Sequence, residues 1–361
     1  MYKSLNLRKD INIIDYTEEV MFFQQLFDGQ FAIVSGNLTE NKIIIYNDKN
    51  FDLKSNNSFK IKEIKSPITS INQTTDKSLL ILTLDGIINI IRLLPDNKYN
   101  IIQNLNAINS SNNKQKLNDD KNPNKININE KEDNKELYYK KINSRITSMV
   151  DFNSCIIMQL SNSLLFSIYD KILKFYQVNI IHNFYEEAKR IELNDIFNEP
   201  LELDSSTLTI LSWSNKSIRF YNIDTQLLLK RLDNINAYLS VKISEEFFGV
   251  IGPQYLYLIS IKEQEIKNLF KIPGSYEIRS ALCSPSGSLL CSTQTIYSCD
   301  IVEFEVNNEE LKEIGKKINP HKNEDYIDGI KIGSSLINVL VITQDREIIT
   351  AGCDRKIKYW N

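Results

Sequence analysis

The feature that most constrains this chain is a strand–turn–strand unit that returns along nearly its whole length. It reads QFAIVSGNLTENKIIIYN from Gln30, SLLILTLDGIINIIRL from Ser78 and SLLFSIYDKILKFYQV from Ser163. It returns as TLTILSWSNKSIRFYNI from Thr207, FFGVIGPQYLYLISI from Phe247, SLLCSTQTIYSCDIVEFEV from Ser288 and EIITAGCDRKIKYWN from Glu347. These seven copies mostly lie roughly 40–50 residues apart, the period of four-stranded propeller blades. A shorter echo, EIKSPITSI (Glu63–Ile71) and KINSRITSM (Lys141–Met149), precedes two of them. One such unit cannot bury its own apolar face, whereas stacked copies can.

Each copy but the fifth ends its second strand on an aromatic or apolar residue: Tyr46, Ile91, Tyr176, Tyr221, Phe304 and Trp360. Turn formers such as Asp85, Asp170, Asn215 and Asp354 stand ahead of these positions. Flanking strands are readable too: YEIRSALCS before and ELKEIGKKI after the sixth copy, with SPSG (Ser284–Gly287) as a turn, and TQLLLKRL after the fourth. The expected fold is all-β, a seven-bladed β-propeller of four-stranded antiparallel blades spanning residues 1–361 as one domain. The last copy supplies only three strands. Residues 2–8, YKSLNLR, alternate, and they are expected to complete that blade beside Lys356–Trp360. This would close the ring and cover an exposed edge.

At this point the chain resembles the WD-repeat family. The terminal copy, VITQDREIITAGCDRKIKYWN, carries Trp360-Asn361 in the Trp-Asp place; SPSGSLL resembles the family's Ser-Pro-Asp-Gly turn, and NKSIRFYNIDT its third strand and exit turn. With two histidines and no Gly-His pair, the His-Asp hydrogen-bond network of that family is expected to be absent from every blade. The resemblance implies a rigid disc that binds peptides or domains of other proteins within a larger complex.

Between copies, residues 106–135 (NAINSSNNKQKLNDDKNPNKININEKEDNK) mix both charge signs without aromatics or apolar period, which predicts a disordered polar insertion. Residues 319–335 read as an irregular loop between the last two blades. The stretch from Asn179 to Pro200 reads as a short helix or a long outer strand; its Phe184, Tyr185 and Phe197 either anchor a peptide or cover the blade edge.

Lys+Arg 43 against Asp+Glu 46 leaves no basic excess to track a phosphate backbone, so nucleic acid is not expected as the main partner. No apolar run approaches the ~20 residues of a membrane span. Five cysteines in 361 residues form no disulfide framework, which points to a reducing, cytoplasmic setting, with the nucleus as the other choice. Cys283, Cys291 and Cys299 recur on successive strands, but without a neighbouring His or CxxC pair they read as small core residues rather than zinc ligands. His182 and His321 show no partner in the sequence, and phosphate-binding glycine loops are absent. No catalytic residue, metal, cofactor or small-molecule substrate is therefore assigned.

The expected function is a non-catalytic protein–protein interaction scaffold. The alternatives are a substrate-recognition adaptor of a ubiquitin ligase or trafficking complex, and a propeller hydrolase or lyase using the central channel. The candidate contact residues, placed where strands enter the channel mouth, are Pro67, Arg145, Tyr238, Tyr276 and Arg279, since aromatics and Arg dominate interface hot spots.

Overall fold

The computed structural model describes residues 7–12, 19–26, 30–36, 41–46, 59–61, 64, 66–93, 99–108, 155–169, 171–179, 184–212, 214–273, 277–284, 286–294, 299–306, 310–317, 320–327, 330–335, 337–342, 347–352, 354 and 356–360. Every regular element among them is a β-strand. The first is β1 (Leu7–Asn12).

Six sheets are each made of four consecutive antiparallel strands. The first holds β2 (Glu19–Gln25), β3 (Phe31–Gly36), β4 (Asn41–Tyr46) and β5 (Phe59–Ile61). The second holds β6 (Ile68–Gln73), β7 (Leu79–Thr83), β8 (Ile87–Leu93) and β9 (Tyr99–Asn106). The third holds β10 (Cys155–Gln159), β11 (Leu165–Tyr169), β12 (Ile172–Asn179) and β13 (Phe184–Glu192). The fourth runs through β14 (Asn198–Asp204), β15 (Thr207–Ser212), β16 (Ser217–Asn222) and β17 (Leu228–Leu232). The fifth runs through β18 (Leu239–Lys242), β19 (Phe247–Ile251), β20 (Tyr255–Ser260) and β21 (Glu265–Lys271). The sixth runs through β22 (Glu277–Cys283), β23 (Leu289–Gln294), β24 (Cys299–Val306) and β25 (Leu311–Lys317). A two-stranded hairpin of β26 (Lys322–Ile327) and β27 (Ile330–Ser335) follows. The chain then adds β28 (Ile337–Ile342), β29 (Ile348–Gly352) and β30 (Lys356–Trp360), which join β1 in the order β1-β30-β29-β28.

Burial explains why the strands read so differently in sequence. The second strands β7, β11 and β15 are covered on both faces at every position, so they read as apolar runs such as LLILT, broken only by small Ser and Thr. The outer strand β9 alternates instead between partly covered and open residues. Apolar clusters lie between the sheets: Phe220 and Phe248 between the fourth and fifth, Leu256 and Phe304 between the fifth and sixth. Leu290 and Ile301 of the sixth sheet pack on Ile337 and Trp360, and Ile349, Ile357 and Tyr359 pack on Phe31 and Tyr46 of the first. Each large apolar side chain buried this way contributes roughly 1.5–3 kcal/mol. The first strands β2, β6, β10, β14, β18, β22 and β28 also touch one another in succession, and β28 touches β2, so they surround a common axis.

The residues that end each second strand of the repeat are buried: Tyr46, Ile91, Tyr176, Tyr221, Phe304 and Trp360. A register shift opposite the outer strand occurs at Ile91, Tyr176, Tyr221 and Phe304, and again at Ile259 in the fifth sheet. Ile259 is thus the fifth copy's counterpart, an isoleucine like Ile91.

Several boundaries differ from expectation. The strand beside Lys356–Trp360 is Leu7–Asn12, with Leu7 opposite Trp360 and Asn12 opposite Lys356, rather than residues 2–8. This later register leaves a connection of residues 13–18 to β2, the length of an ordinary short loop. Residues 319–335 are not an irregular loop, since β26 pairs with β27 from Lys322↔Ser335 to Ile327↔Ile330. The Asp328-Gly329 pair between these strands is a two-residue hairpin signal. The polar insertion begins after 108, not at 106: Asn106 closes β9, buried Ala107 donates its N–H to the Gly86 carbonyl at 2.8 Å, and Ile108 packs beside them. Gly86 has φ +79° and Ile108 lies against it, so a side chain there would be strained and would clash. Residues 109–135, and the KINSRITSM echo, lie outside the described residues; the strand at that stage of the repeat is Cys155–Gln159. Of the Asn179–Pro200 stretch, Phe184–Glu192 is an outer strand.

Candidate functional site

Two places combine polar chemistry with special backbone or burial, and only one of them is open. The closed one is the β1-β30-β29-β28 sheet. Trp360 Nε1 donates to Thr350 Oγ1 at 2.7 Å, Thr350 Oγ1 lies 2.7 Å from His321 Nε2, and His321 Nδ1 lies 2.5 Å from Asp354. With the proton on Nδ1, the chain runs one way, from indole to hydroxyl to imidazole to carboxylate. Lys358 adds an ion pair to Asp354 at 2.8 Å and donates to the Pro320 carbonyl. Burial opposes ionisation of Asp354, but the hydrogen bonds and charges of His321 and Lys358 outweigh it and hold the carboxyl below its ordinary value. The His-Asp network expected to be absent is therefore present in one sheet, and His321 has partners after all.

Hydroxyl, imidazole and carboxylate in this order are also the groups of a nucleophilic triad. Here His321 and Thr350 are fully buried and the Thr350 oxygen is occupied by the Trp360 indole, so no substrate atom can reach them. The arrangement ties the segment entering the sheet to its second and third strands.

The open place is the mouth of the axial channel, where the first strands begin. Five of these strands carry a register shift near their starts: at Met21 in β2, Thr69 in β6, Glu199 and Pro200 in β14, Arg279 in β22 and Asn338 in β28. Such bulges unpair a residue and re-aim it, and they are frequent beside functional sites. Thr69 turns its hydroxyl to the Leu82 carbonyl at 3.1 Å. Arg279 forms an ion pair with Glu277 at 3.0 Å. Ser280 and Ser292 share a hydrogen bond of 2.6 Å.

Glu199 stands apart. Its backbone has φ +47°, although it precedes proline, a position biased to extended conformations. Its carbonyl accepts from the Ser240 hydroxyl of the next first strand at 3.2 Å. The side chain is partly open, yet protein surrounds it, and burial alone pushes its carboxyl up to about 7.

The expected contact residues divide. Arg279 stands near the start of β22, at its register shift opposite β23. Pro67 is buried, and its carbonyl accepts the Leu84 N–H at 2.8 Å, so it shapes a turn rather than a surface. Tyr238 packs against the cluster between the fifth and sixth sheets, and burial first of all pushes its phenol up to about 12. Arg145 and Tyr276 lie outside the described residues. Phe197 is fully buried under the Arg219 guanidinium, 4.5 Å from its ring centroid, whereas Phe184 is exposed. Cys291 and Cys299 are buried in different clusters, on opposite faces of one sheet. Among the described residues no group of three potential metal ligands occurs, and no helix is long and apolar enough to cross a membrane.

A third surface was not foreseen. Leu227, Leu228 and Leu229 are 58%, 50% and 50% exposed on and beside β17, and Ile266 and Leu269 are 45% and 49% exposed on β21. Lys230 of β17 reaches the Glu263 carbonyl, just ahead of β21, at 3.2 Å, a polar link between the two neighbouring outer segments.

The sequence matches no known family profile and no curated protein. Solved structures are similar in shape. The WD40 β-propeller domain of Doa1 superposes with a TM-score of 0.58 at 11% identity, covering 99% of this chain and 97% of that one. A chain of the mitotic checkpoint complex gives 0.62 at 9% identity, covering 99% and 94%. A streptogramin B lyase gives 0.62 at 11% identity, covering 100% and 98%. At such identities the likeness concerns the fold: a β-propeller of four-stranded antiparallel blades, shared by WD40 domains and by lyases.

Proposed function

We propose that this chain is a non-catalytic protein-interaction scaffold, a seven-bladed disc closed by its N-terminal strand. The observation that carries this reading is the apolar rim on β17 and β21. Three consecutive leucines about half exposed, with Ile266 and Leu269 about half exposed on the next outer strand, favour a surface for another protein over one for a small substrate. The described histidine, His321, is sealed inside a sheet and cannot act as a general base in an open cleft. The likeness to WD40 domains, one of them from a mitotic checkpoint complex, supports the same reading by analogy of fold. Service as an adaptor for a ubiquitin ligase or trafficking complex is a special case of it. Cys283 and Cys291 are free thiols, in keeping with a reducing, cytoplasmic setting.

One observation favours a second reading. Glu199 is a carboxyl poised near neutrality at the channel mouth, as a general acid would be, and lyases share this fold. Affinity purification of the full-length protein from its native cell, beside a version lacking residues 109–135 and a Leu228→Glu/Leu229→Glu variant, separates the two. Stoichiometric partners lost from the rim variant uphold the scaffold. A monomer without partners in all three overturns it and turns attention to channel chemistry.

A further inference from the structure

We infer that the channel mouth at Glu199 is a subsite for a cationic side chain, the ammonium or guanidinium group of a partner protein's lysine or arginine. The backbone is built for display. The Asn198↔Leu211 and Leu201↔Thr209 pairs bracket Glu199 and Pro200, which are left out of the ladder. Glu199 holds φ +47° ahead of proline, a conformation that is retained only where surrounding structure enforces it. The Ser240 hydroxyl on β18 bonds the Glu199 carbonyl and so helps to fix it.

What this backbone displays is an uncompensated acid. No hydrogen bond or ion pair to the Glu199 carboxyl occurs among the described residues, although its surroundings are protein. The neighbouring first strand β10 (CIIMQ) carries no charge, and Lys242 of β18 is held by Glu245 at 2.8 Å. Arg279, one first strand further on, is held by Glu277 at 3.0 Å. A desolvated carboxylate without a cation is costly, and an arriving cation removes that cost. A single carboxylate gives a metal ion only one or two of the several oxygen ligands it takes, whereas it is a complete partner for one protonated nitrogen. Because the free carboxyl is pushed up to about 7, binding a cation at neutral pH also releases a proton from part of the population.

This subsite rests on the scaffold reading, since the cation comes from a protein partner. Its test needs no partner, so failure here leaves the scaffold standing. The protein is labelled with 13C at the glutamate side-chain carboxyls, and the Glu199 resonance is assigned by its loss in Glu199→Gln. The probes are N-acetyl-lysine methylamide, N-acetyl-arginine methylamide and the uncharged N-acetyl-norleucine methylamide. The expected result is a midpoint near neutrality in the free protein, lowered by about one unit at saturation with a cationic probe. That shift corresponds to a roughly tenfold preference of the probe for the ionised site. The lysine and arginine arms show which group fits better. Glu199→Asp keeps the charge and is expected to retain a weaker response if Gln perturbs the strand. A midpoint in the ordinary carboxylate range, no shift with either cation, or an equal shift with norleucine overturns the proposal.

Discussion

The third and last sheets solve one problem with different chemistry. Each must tie the segment that arrives from the preceding sheet to its own strands. In the last sheet Lys358, two residues before Trp360, reaches the Pro320 carbonyl. In the third, Lys174, two residues before Tyr176, reaches the Asn106 carbonyl at 2.9 Å. The residues paired across from these lysines, Thr350 and Ser167, are also equivalent. The acids differ. Asp354 is shared by Lys358 and His321, whereas Glu187 on the outer strand pairs with Lys174 alone, at 2.8 Å. Arg219, two residues before Tyr221, holds the segment into the fourth sheet through the Phe197 ring instead. A cation at one fixed register is thus the shared device, and the hydrogen-bond relay through His321 is an addition made in the last sheet. The difference teaches that loss of a recognisable family signature need not loosen a blade, because a buried ion pair or a stacked guanidinium spans the same gap.

The largest effect tests whether the last sheet depends on its own network or on its borrowed strand. Removing residues 1–12 strips β1 from β30 and exposes a sheet edge; the melting temperature is expected to fall by about 10 °C or more, well beyond any single substitution below. An unchanged melting temperature would break the closure model.

The lysines come next. Lys174→Met leaves half-buried Glu187 without that cation and is expected to cost about 2–3 kcal/mol in denaturant unfolding. Adding Glu187→Leu should recover most of that. Lys358→Met leaves Asp354 still held by His321 and should cost about 1–2 kcal/mol. Equal losses at both sites would erase the contrast drawn above.

Thr350→Val removes the acceptor for Trp360 and the partner of His321 together, with an expected cost of about 2–3 kcal/mol. Ser167→Ala, where the contact to the Tyr176 hydroxyl is long at 3.4 Å, should cost about 0.5 kcal/mol. The Asp354 carboxyl is held below its ordinary value, so its contribution is complete above the unfolded-state range and is lost as pH falls through the lowered value. Asp354→Asn should flatten the acid limb of the stability profile.

Glu199 acts with the opposite sign. Its carboxyl is raised to about 7 from 4.5, so the folded state holds the proton more tightly than the unfolded chain. Stability then declines as pH rises from about 4.5 to 7 and is level above. Glu199→Gln should therefore match the parent protein near pH 4 and exceed it above pH 7, by about 3 kcal/mol. The smallest effect is at the rim, where Leu228→Glu should change stability by about 0.5 kcal/mol or less while altering association.

Much of this was legible in the residues. The cation register is written in KILKFY, SIRFY and KIKYW, each with Lys or Arg two places before the aromatic. The burial of Tyr46, Tyr176, Tyr221, Phe304 and Trp360 follows from their recurrence at one place in the unit. The hairpin at 322–335 runs against the reading of 319–335 as an irregular loop, although Asp328-Gly329 carries a two-residue turn signal. Harder to see was His321, because its partners lie 29 and 33 residues away across that hairpin. No spacing rule connects Asn-Pro-His to an Asp in a later turn.

What the sequence by itself determined is the repeated sheet, since alternation and a regular period are properties of the chain read in order. The register of β1 on β30, the sealing of His321 and the exposure of Leu227–Leu229 were decided only by the tertiary structure. So was the isolation of Glu199. The reason is physical: the period belongs to neighbours along the backbone, whereas burial and compensation of a charge belong to whichever strands arrive beside it. Nothing in FNEP states that, among the described residues, no ion pair reaches its glutamate.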